Sequence, residues 1–329
     1  MSDSRLPLVV IAGPTGVGKT ETALYLSGRI PLELISADSR QVYRRMDIGT
    51  GKPTPTQRRA VRHHLLDRVE PDEPYHAARF RRESQAEIQE IRDRGRLPVI
   101  VGGTGLYIRA LLRGLRPAPA RHQEFREELV EWARGKEAGA LHRRLARVNP
   151  EVARRIHPKD KVRIIRAIEI DHYQNESSPL ILPGADNGAP SPEADGDWGL
   201  NRPPFHLLMV GLTMPRAALA RSLASRVEAM VARGLREEVQ ALLEAGYDES
   251  LSAMNGIGYR HYSGVLCGRT TEAEAIRAMK RDTIRYAKRQ WTWFRKEPEL
   301  RWMDLQEAGG PEGTARAIAR LIQEGGYLP

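Results

Sequence analysis

Five short apolar runs occur along the chain, and most are separated by stretches in which apolar residues recur at helical spacing. The runs are rich in β-branched residues, which is typical of strands buried in a parallel sheet. They lie at residues 6–12, 32–37, 97–101, 205–212 and, more briefly, 300–303. Helical sequence follows the first run through about Arg29 and the third from Thr104 onward. Strands that alternate with helices predict an α/β fold with a parallel sheet flanked by helices.

The pattern changes between residues 116 and 175, where charged residues dominate and no segment resembles a strand. The apolar positions there recur at helical spacing. Examples are Phe125, Leu129, Trp132, Leu141 and Leu145. We therefore expect a helical insertion domain at 117–199, placed within a core domain formed by 1–116 and 200–329.

Two further segments complete this organisation. Residues 179–204 are rich in Pro, Gly, Ala and Asp and contain little to bury, which predicts a flexible surface loop. After Pro215, apolar residues spaced by three and four predict a long helix. These residues are Leu219, Leu223, Val227, Met230 and Val231. The C-terminal third is otherwise helical, apart from the apolar run at 300–303.

Composition limits the classes of function that the chain can serve. Its 329 residues include 40% hydrophobic ones, enough for a substantial core, and its formal net charge is +10. A charge of that size favours a polyanionic partner, either nucleic acid or an anionic membrane surface. No apolar run approaches the roughly 18 residues that cross a bilayer. Cys267 is the single cysteine, which excludes an intramolecular disulfide and a cysteine-built zinc finger. We expect a cytoplasmic protein and, without an obvious oligomer seam, a monomer.

Residues 13–20, GPTGVGKT, match the phosphate-loop motif G-x-x-x-x-G-K-[ST] and lie between a predicted strand and a predicted helix. The glycines allow backbone N–H groups to approach phosphate oxygens, and the helix start adds partial positive charge. Lys19 supplies a full charge, and the Thr20 hydroxyl suits Mg²⁺, the cofactor that we expect. The motif predicts a P-loop NTPase-like core that binds a diphosphate or triphosphate, without specifying ATP. The expected diphosphate contacts are Gly13, Thr15, Gly16, Val17, Gly18, Lys19 and Thr20.

Asp38 directly follows the second predicted strand, at the sheet edge that also carries the phosphate loop. Ligands of open α/β sheets bind at that edge. A carboxylate there can act as a general base or as a Mg²⁺ partner. An aspartate at the end of a strand also commonly caps a helix. From the residues alone, a functional role as base or Mg²⁺ partner and a structural role as helix cap all stay open.

Several segments resemble one family, the tRNA dimethylallyltransferases, and they occur in the family's order over nearly the whole chain. The phosphate loop is generic, whereas the patterns MDIGT-x-KP, GGTGLY and KRQ-x-TWFR are together specific. The matching segments are GPTGVGKT (13–20), ELISADSRQVYRRMDIGTGKPT (33–54), HHLLD (63–67), VGGTGLYIRALLRGL (101–115), RIHPKDKVRIIRAIEI (155–170), GIGYRH (256–261) and YAKRQWTWFRK (286–296).

The resemblance implies transfer of a dimethylallyl group from dimethylallyl diphosphate to N6 of the adenine immediately 3′ of the tRNA anticodon. The phosphate loop then holds the donor's diphosphate with Mg²⁺, rather than ATP. Asp38 matches the family's general base, Thr15 and Lys19 match diphosphate contacts, and Thr20 lies where Mg²⁺ is approached. Arg226 matches an arginine that stabilises charge on the leaving diphosphate. The resemblance thus implies Asp38, Arg226 and Thr15 as catalytic residues. Because Arg226 lies beside the apolar stripe of the long helix, we expect it at the edge of the core.

A strongly basic segment spans residues 277–296, where Asp282 is the only acidic residue. Basic side chains contact phosphates and interleaved aromatic rings stack on exposed bases, which is typical of RNA binding. The alternative is a solvated helix face whose aromatic residues belong to the core. The basic residues are Arg277, Lys280, Arg281, Arg285, Lys288, Arg289, Arg295 and Lys296, and the aromatic ones are Tyr286, Trp291, Trp293 and Phe294.

The resemblance implies the anticodon stem-loop of tRNA as the partner, with the target base flipped out of the stack for attack. It assigns tRNA contacts to Asp38, Ser39, Arg40, Gln41, Thr104, Arg126, Val162, Arg163, Arg166, Gly258, Tyr259, Arg260, Lys288, Arg289, Gln290, Trp293 and Arg295. Two departures put contacts in question. Ser222 stands where relatives often carry a second basic residue, with Arg221 beside it, and NESSP at 175–179 replaces the usual Gly-(Lys/Arg)-Pro turn.

Three other functions share parts of this pattern. A P-loop kinase for a nucleoside or small metabolite has the same loop but transfers the γ-phosphate of ATP. An adenylate isopentenyltransferase performs the same chemistry on a free nucleotide, and the basic C-terminal segment with the helical insertion favours tRNA over it. A non-catalytic RNA-binding ATPase is disfavoured by Asp38 beside the loop and by the lack of a helicase motif.

Overall fold

The computed structural model describes residues 5–115, 118–119, 122–176 and 203–328. By its internal contacts the chain divides into two compact units. The first contains Met1–Tyr75, Glu83–Leu112 and Pro203–Pro329, and the second contains His76–Arg82 and Arg113–Arg202. The loop predicted at 179–204 lies outside the described residues, except for its last two positions.

The first unit is built on one sheet of six strands. These are β1 (Leu6–Ala12), β2 (Leu32–Ala37), β3 (His63–His64), β4 (Leu97–Gly102), β5 (Phe205–Thr213) and β6 (Leu300–Asp304). Their order is β3-β2-β4-β1-β5-β6, and every pairing is parallel. The predicted parallel α/β fold is therefore confirmed, and all five predicted strands are present. The pattern did not predict β3, because two residues carry no periodicity.

Strand β1 lies in the middle of the sheet and is covered on both faces. Val9 lies opposite Val99 of β4 on one side and opposite Leu208 of β5 on the other. Leu8, Val9 and Ile11 have no exposed surface. Burial on both faces explains why β1 is a continuous apolar run rather than an alternating one.

Helices connect the strands, and thirteen of them lie within the described residues. They are α1 (Lys19–Ser27), α2 (Pro55–Ala60), α3 (Ala77–Asp93), α4 (Gly105–Arg113), α5 (Gln123–Ala133), α6 (Ala140–Val148), α7 (Pro150–Arg155), α8 (Lys161–Glu176), α9 (Arg216–Ala232), α10 (Leu235–Glu244), α11 (Tyr259–Leu266), α12 (Glu272–Phe294) and α13 (Gly310–Glu324). Helices α1 and α13 pack together, and Leu26 and Ile318 join the buried cluster that includes Val9. The long helix predicted after Pro215 is α9.

The carboxyl ends of neighbouring parallel strands meet at one edge of the sheet. Gly13 follows β1, Asp38 follows β2, and Thr104 comes two residues after β4. The backbone N–H of Thr104 donates to Ala37 O at 3.1 Å, which joins the last two of these ends. The fold thus gathers the phosphate loop, Asp38 and the GGTG segment at the edge where α/β proteins bind ligands.

The second unit has a core of its own. Leu129 of α5, Leu145 of α6, Val152 of α7 and Ile164 of α8 are all buried in one cluster. Its described residues form helices without a strand, so the expected helical region is present. This is the outcome that helical spacing without β-rich runs predicts.

Candidate active site

The phosphate loop, residues 13–18, packs closely against two other elements of the first unit. Gly16 has φ +75°, and a Cβ there would lie 2.6 Å from Leu223 Cδ2 on α9. Gly13 has φ +142°, and a Cβ there would lie 2.6 Å from Leu212 O on β5. L side chains rarely adopt such torsions, so both the backbone and the close approach require glycine. The loop is therefore seated between β5 and α9.

Lys19 begins α1 and turns its ammonium group back toward the loop. Its Nζ donates hydrogen bonds to Gly13 O at 3.0 Å and to Pro14 O at 2.8 Å. Burial lowers the pKa of Lys19 to about 8, although the charge of Asp38 acts in the opposite direction. A cation that has lost solvation and is held by neutral carbonyls gains strongly from an anionic ligand. Thr20 follows Lys19 in the chain, and both residues line one cavity at this edge of the sheet.

Helix α9 supplies a polar side chain to the phosphate loop. Ser222, the departure from the family pattern, donates from its Oγ to Gly16 O at 2.9 Å. Its hydroxyl therefore supports the phosphate loop. Arg221, the neighbouring basic residue, is exposed on the surface of the helix.

Arg226 lies one turn further along α9, partly exposed at the edge of the core as expected. Its Nη2 donates to Thr50 O at 3.4 Å. Burial lowers the pKa of Arg226 below its ordinary value, and Asp38 opposes that shift. Gly51 has φ +61°, and a Cβ there would lie only 2.0 Å from Arg226 Nη2. The guanidinium is thus confined against the backbone of residues 50 and 51.

Asp38 does not cap a helix, because residues 39–42 form turns rather than an α-helix. Its Oδ1 instead accepts a hydrogen bond from the backbone N–H of Arg40 at 2.8 Å, and the N–H of Gln41 lies at 3.4 Å. The structure gives Oδ2 no hydrogen-bond partner among the described residues. The turn fixes the carboxylate and leaves one oxygen open to a ligand.

Two adjoining cavities lie at this edge of the sheet. The larger, about 620 Å³, is lined by the phosphate loop, Lys19 and Thr20, and we call it the donor cavity after the diphosphate that the family resemblance implies there. The smaller, about 230 Å³, is lined by residues of α9, α11 and α12, and we call it the acceptor cavity after the tRNA contacts that the resemblance implies. Thr15, Asp38 and Arg226 line both. The three predicted catalytic residues therefore lie where the two cavities meet.

The MDIGT-x-KP segment forms a loop at residues 46–52 that is fixed by buried polar contacts. Gln41 Nε2 donates to Gly51 O at 3.2 Å. Lys52 is only 5% exposed. Its Nζ donates to Asp67 Oδ1 at 2.6 Å and to Asp47 Oδ1 at 2.7 Å. Because Lys52 and Asp67 are partners, the MDIGT-x-KP and HHLLD segments depend on each other.

Gln290 lies on α12 and contacts the backbone of two sheet-edge segments. The N–H of Thr15 donates to Gln290 Oε1 at 2.8 Å, and Gln290 Nε2 donates to Gly103 O at 2.8 Å. Close by, Thr104 Oγ1 accepts from the N–H of Ser39 at 3.0 Å. Gln290 is 6% exposed. Its contact with tRNA stays a prediction, and its amide here holds the phosphate loop and the GGTG segment.

The basic segment divides between surface and core. Lys288, Arg289 and Arg295 are exposed, as the RNA-binding hypothesis requires. Phe294 is fully buried, and the Arg109 guanidinium lies 4.4 Å from the centre of the Trp293 ring. Some aromatic residues of the segment therefore belong to the core, as the alternative of a solvated helix face predicts. The exposed cations are available to a ligand.

Other predicted contact residues surround the acceptor cavity. Arg40, Tyr259 and Arg260 line it. Arg40 Nη1 donates to Ser252 O at 2.5 Å, and Arg260 forms an ion pair with Asp282. Gly258, with φ +99°, directly precedes α11. Tyr259 is 1% exposed, so its side chain belongs to the core.

Four predicted contacts lie in the second unit. Arg126 and Arg166 both donate to Glu169, whose side chain is fully buried, at 2.6 and 2.7 Å. Burial would raise the pKa of Glu169, but these hydrogen bonds hold it below its ordinary value. Val162 is 76% exposed, and Arg163 is partly paired with Asp160 at 3.4 Å. All four contacts with tRNA stay predictions, and Arg126 and Arg166 have a structural partner in Glu169.

Met230 and Tyr286 are among the lining residues that the residue pattern does not assign to the site. Met230 lines both cavities, and Tyr286 lines the acceptor cavity. Burial raises the pKa of Tyr286 to about 12, and Asp38 acts in the same direction. Met230 continues the apolar stripe of α9, so its spacing predicts a core residue. Tyr286 belongs to the aromatic residues of the basic segment, and the pattern does not separate those that line a site from those in the core.

Carboxylate, thiol and imidazole groups do not assemble into a metal centre in the part of the chain that the structure describes. Any divalent cation here would draw most of its ligands from a bound phosphate compound and water. Across the same described ranges, each helix is too short or too polar to cross a membrane.

Comparison with known proteins places these features in a family. The model of the IPP transferase family matches residues 41–297. The tRNA dimethylallyltransferase 2 of Geotalea uraniireducens is 45% identical over 306 residues, covering 93% of this chain and 94% of that protein. The tRNA dimethylallyltransferase of Desulforudis audaxviator is 44% identical over 318 residues, covering 97% and 98% respectively.

Solved structures agree. The full-length tRNA isopentenylpyrophosphate transferase of Bacillus halodurans superposes with a TM-score of 0.68 at 36% identity, covering 98% of both chains. A eukaryotic dimethylallyltransferase captured acting on tRNA superposes with a TM-score of 0.75 at 25% identity, covering 97% of this chain and 80% of that one.

Proposed function

The chain belongs to the IPP transferase family, and on that premise we propose that it is a tRNA dimethylallyltransferase. It transfers a dimethylallyl group from dimethylallyl diphosphate to N6 of the adenine immediately 3′ of the anticodon, and diphosphate is released. The observation that carries the proposal is the shared lining of the two cavities. Thr15, Asp38 and Arg226 are accessible from both, as a transfer between two bound substrates requires.

The donor cavity suits a diphosphate. The phosphate loop supplies backbone N–H groups and Lys19, and Arg226 from α9 adds a second cation to the lining. The Thr20 hydroxyl is a hard oxygen group of the kind that Mg²⁺ accepts beside phosphate oxygens and water. When bound, Mg²⁺ neutralises charge on the diphosphate oxygens.

The reaction breaks one bond and forms another at the allylic carbon. The C–O bond to diphosphate breaks, and its electron pair leaves with the diphosphate, where Lys19 and Arg226 stabilise the growing negative charge. The N6 lone pair forms the new C–N bond, and N6 loses a proton to Asp38. Asp38 Oδ2 suits this role, because Oδ1 is engaged by the Arg40 N–H.

The acceptor side suits a polyanion with a flipped base. The acceptor cavity, about 230 Å³, opens beside exposed Arg289, and Lys288 and Arg295 are exposed on the same segment. Such cations contact backbone phosphates, while the cavity takes the extruded base. We further propose that the protein is cytoplasmic, where its tRNA substrate is, and that it acts as a monomer.

The test is a product analysis with competing substrates. The protein is incubated with dimethylallyl diphosphate, ATP, AMP and unmodified tRNA, and the products are identified by mass spectrometry. We expect dimethylallyl-adenosine in tRNA and no ADP. Modified AMP would indicate the adenylate isopentenyltransferase, and ADP formed in step with a phosphorylated product would indicate a kinase. A tRNA with guanine at the target position is the matched control and should stay unmodified.

A further inference from the structure

Glu238, on α10, places its carboxylate against three consecutive backbone N–H groups. Its Oε2 accepts from Asp47 at 2.8 Å and from Ile48 at 2.7 Å, and its Oε1 accepts from Gly49 at 3.0 Å. Oε1 also accepts from the Tyr259 hydroxyl at 2.7 Å. One carboxylate thus satisfies four donors from two separate parts of the chain. Hydrogen bonds to an ionised group are stronger than neutral ones, so this contact fixes both parts firmly.

The loop that Glu238 holds is the one that confines Arg226. Residues 46–52 carry the Thr50 carbonyl, which accepts from Arg226 Nη2 at 3.4 Å, and Gly51, which lies against the guanidinium. Glu238 itself lines neither the donor nor the acceptor cavity. Its influence on a ligand must therefore pass through the backbone that it holds.

The fourth donor ties the same carboxylate to the acceptor cavity. Tyr259 lines that cavity, and its ring covers Gly49 so closely that a Cβ there would lie 2.6 Å from Tyr259 Cζ. Glu238 thus connects the loop behind Arg226 with the GIGY segment. The loop that this carboxylate holds lines both cavities, with Gly51 in the donor cavity and Gly49 in the acceptor cavity.

We propose that Glu238 is a positioning residue for the transfer, which acts by holding the Thr50 carbonyl and thereby the Arg226 guanidinium toward the donor diphosphate. The inference rests on the proposed function for the identity of that ligand. A carboxylate is needed because glutamine offers one acceptor oxygen and an amide group that repels half of the four donors. Glu238→Gln keeps the shape of the side chain and removes this pattern of acceptors.

The experiment is a double-mutant cycle on the affinity for inorganic diphosphate with Mg²⁺, measured by calorimetry on the full chain. The four proteins are the wild type, Glu238→Gln, Arg226→Ala and the double variant. We expect Glu238→Gln to weaken diphosphate binding by about tenfold, since small misplacements of a contact group have effects of this order. In the Arg226→Ala background the same change should have no further effect. Equal losses in both backgrounds would overturn the proposal.

Glu237→Gln is the matched control, because Glu237 is the exposed neighbour on the same helix, and it should bind diphosphate like the wild type. If Glu238→Gln fails to fold, Tyr259→Phe takes its place, since it removes one donor and keeps the ring on Gly49. A loss that persists without Arg226 would overturn the proposal there too.

Transfer kinetics provide the second readout. In Glu238→Gln we expect kcat to fall by about 10- to 100-fold, while KM for tRNA stays near the wild-type value. A merely structural role would lower the melting temperature and the amount of active enzyme, without separating kcat from KM. Absence of prenyl transfer by the wild type would instead sink the proposed function, and the diphosphate cycle would still decide the role of Glu238.

Discussion

The backbone N–H of Thr15 donates a hydrogen bond of 2.8 Å to Gln290 Oε1, so the phosphate loop is tied to helix α12. The same side chain donates to Gly103 O through its Nε2. Because this buried amide uses its oxygen and its nitrogen on two backbone groups, it restricts the movement of both backbone segments. The helix that carries the exposed cations Lys288 and Arg289 is therefore held against the phosphate loop.

Replacing Gln290 tests whether it serves the donor or the tRNA. Gln290→Ala leaves the N–H of Thr15 without its partner, which costs about 1–3 kcal/mol. We expect the affinity for dimethylallyl diphosphate to fall while tRNA affinity in the absence of donor changes little. Thr292→Ala, at an exposed position on the same helix, is the control. A loss of tRNA affinity alone would show that Gln290 acts as a direct tRNA contact.

Asp38→Asn separates basicity from structure. Asparagine keeps an oxygen for the Arg40 N–H, so the turn and the melting temperature should be preserved. The exocyclic amine needs a proton acceptor as the C–N bond forms, and loss of a general base typically costs about 10²- to 10⁴-fold in rate. Single-turnover transfer at saturating substrates is the measurement. A rate near that of the wild type would remove Asp38 as the base.

The low pKa of Lys19 predicts a pH dependence for donor binding. Burial lowers this pKa to about 8, so the ammonium is charged below pH 8 and loses its proton above it. Affinity for the diphosphate should therefore fall as the pH rises above about 8. Lys19→Met should bind diphosphate weakly at every pH, and its affinity should change with pH only because the diphosphate itself ionises. Identical pH profiles for the two proteins would contradict the assignment of Lys19 to the diphosphate.

Gly51→Ala should displace Arg226. Both Gly51 (φ +61°) and Gly95 (φ +67°) adopt left-handed torsions, but a Cβ on Gly95 meets no atom within 4 Å. Either substitution costs roughly 1–2 kcal/mol of backbone strain. Only Gly51→Ala should lower the transfer rate, by about 100-fold if the guanidinium moves by an ångström. Thermal melts of both variants check that they are destabilised equally. Equal transfer rates would show that the position of the Arg226 guanidinium does not limit the reaction.

The exposed cations of the basic segment predict a steep salt dependence of tRNA binding. If Lys288, Arg289 and Arg295 each bind a phosphate, replacing any one by alanine should reduce the slope of log affinity against log salt by about one unit. Lys280→Ala is the control, because Glu228 already pairs with that cation at 2.6 Å. An unchanged slope in the triple variant would mean that these side chains are solvated in the complex.

The sequence predicts the sheet and the edge where the chemistry lies, because buried parallel strands and the phosphate loop leave strong local patterns. It does not predict α3, whose apolar residues Phe80, Ile88 and Ile91 are sparse among charges. Residues 76–82 also belong to the second unit, although they lie far from it in the chain. Such membership depends on tertiary packing and leaves no local signal.

The sequence also does not predict how side chains are oriented in the segments that resemble tRNA-contacting ones. Gln290, Tyr259 and Arg166 all lie in segments that resemble tRNA-contacting ones, yet all three are buried. Their partners are the backbone of Thr15 and Gly103, the carboxylate of Glu238 and that of Glu169. A motif identifies the segment, whereas distant partners decide which way a polar side chain turns.

The position of β1 has a consequence for how the protein is made. Leu6 pairs with Phe205, so the strand that leads into the phosphate loop gains one of its two neighbours only after some two hundred further residues have been synthesised. At the usual rate of translation that interval lasts roughly 10 to 40 s. During this interval an apolar strand has one unpaired edge. Unpaired apolar strands promote aggregation, and chaperones shield them in nascent chains. The helices of the second unit, which pack on sequence neighbours, can form in the meantime.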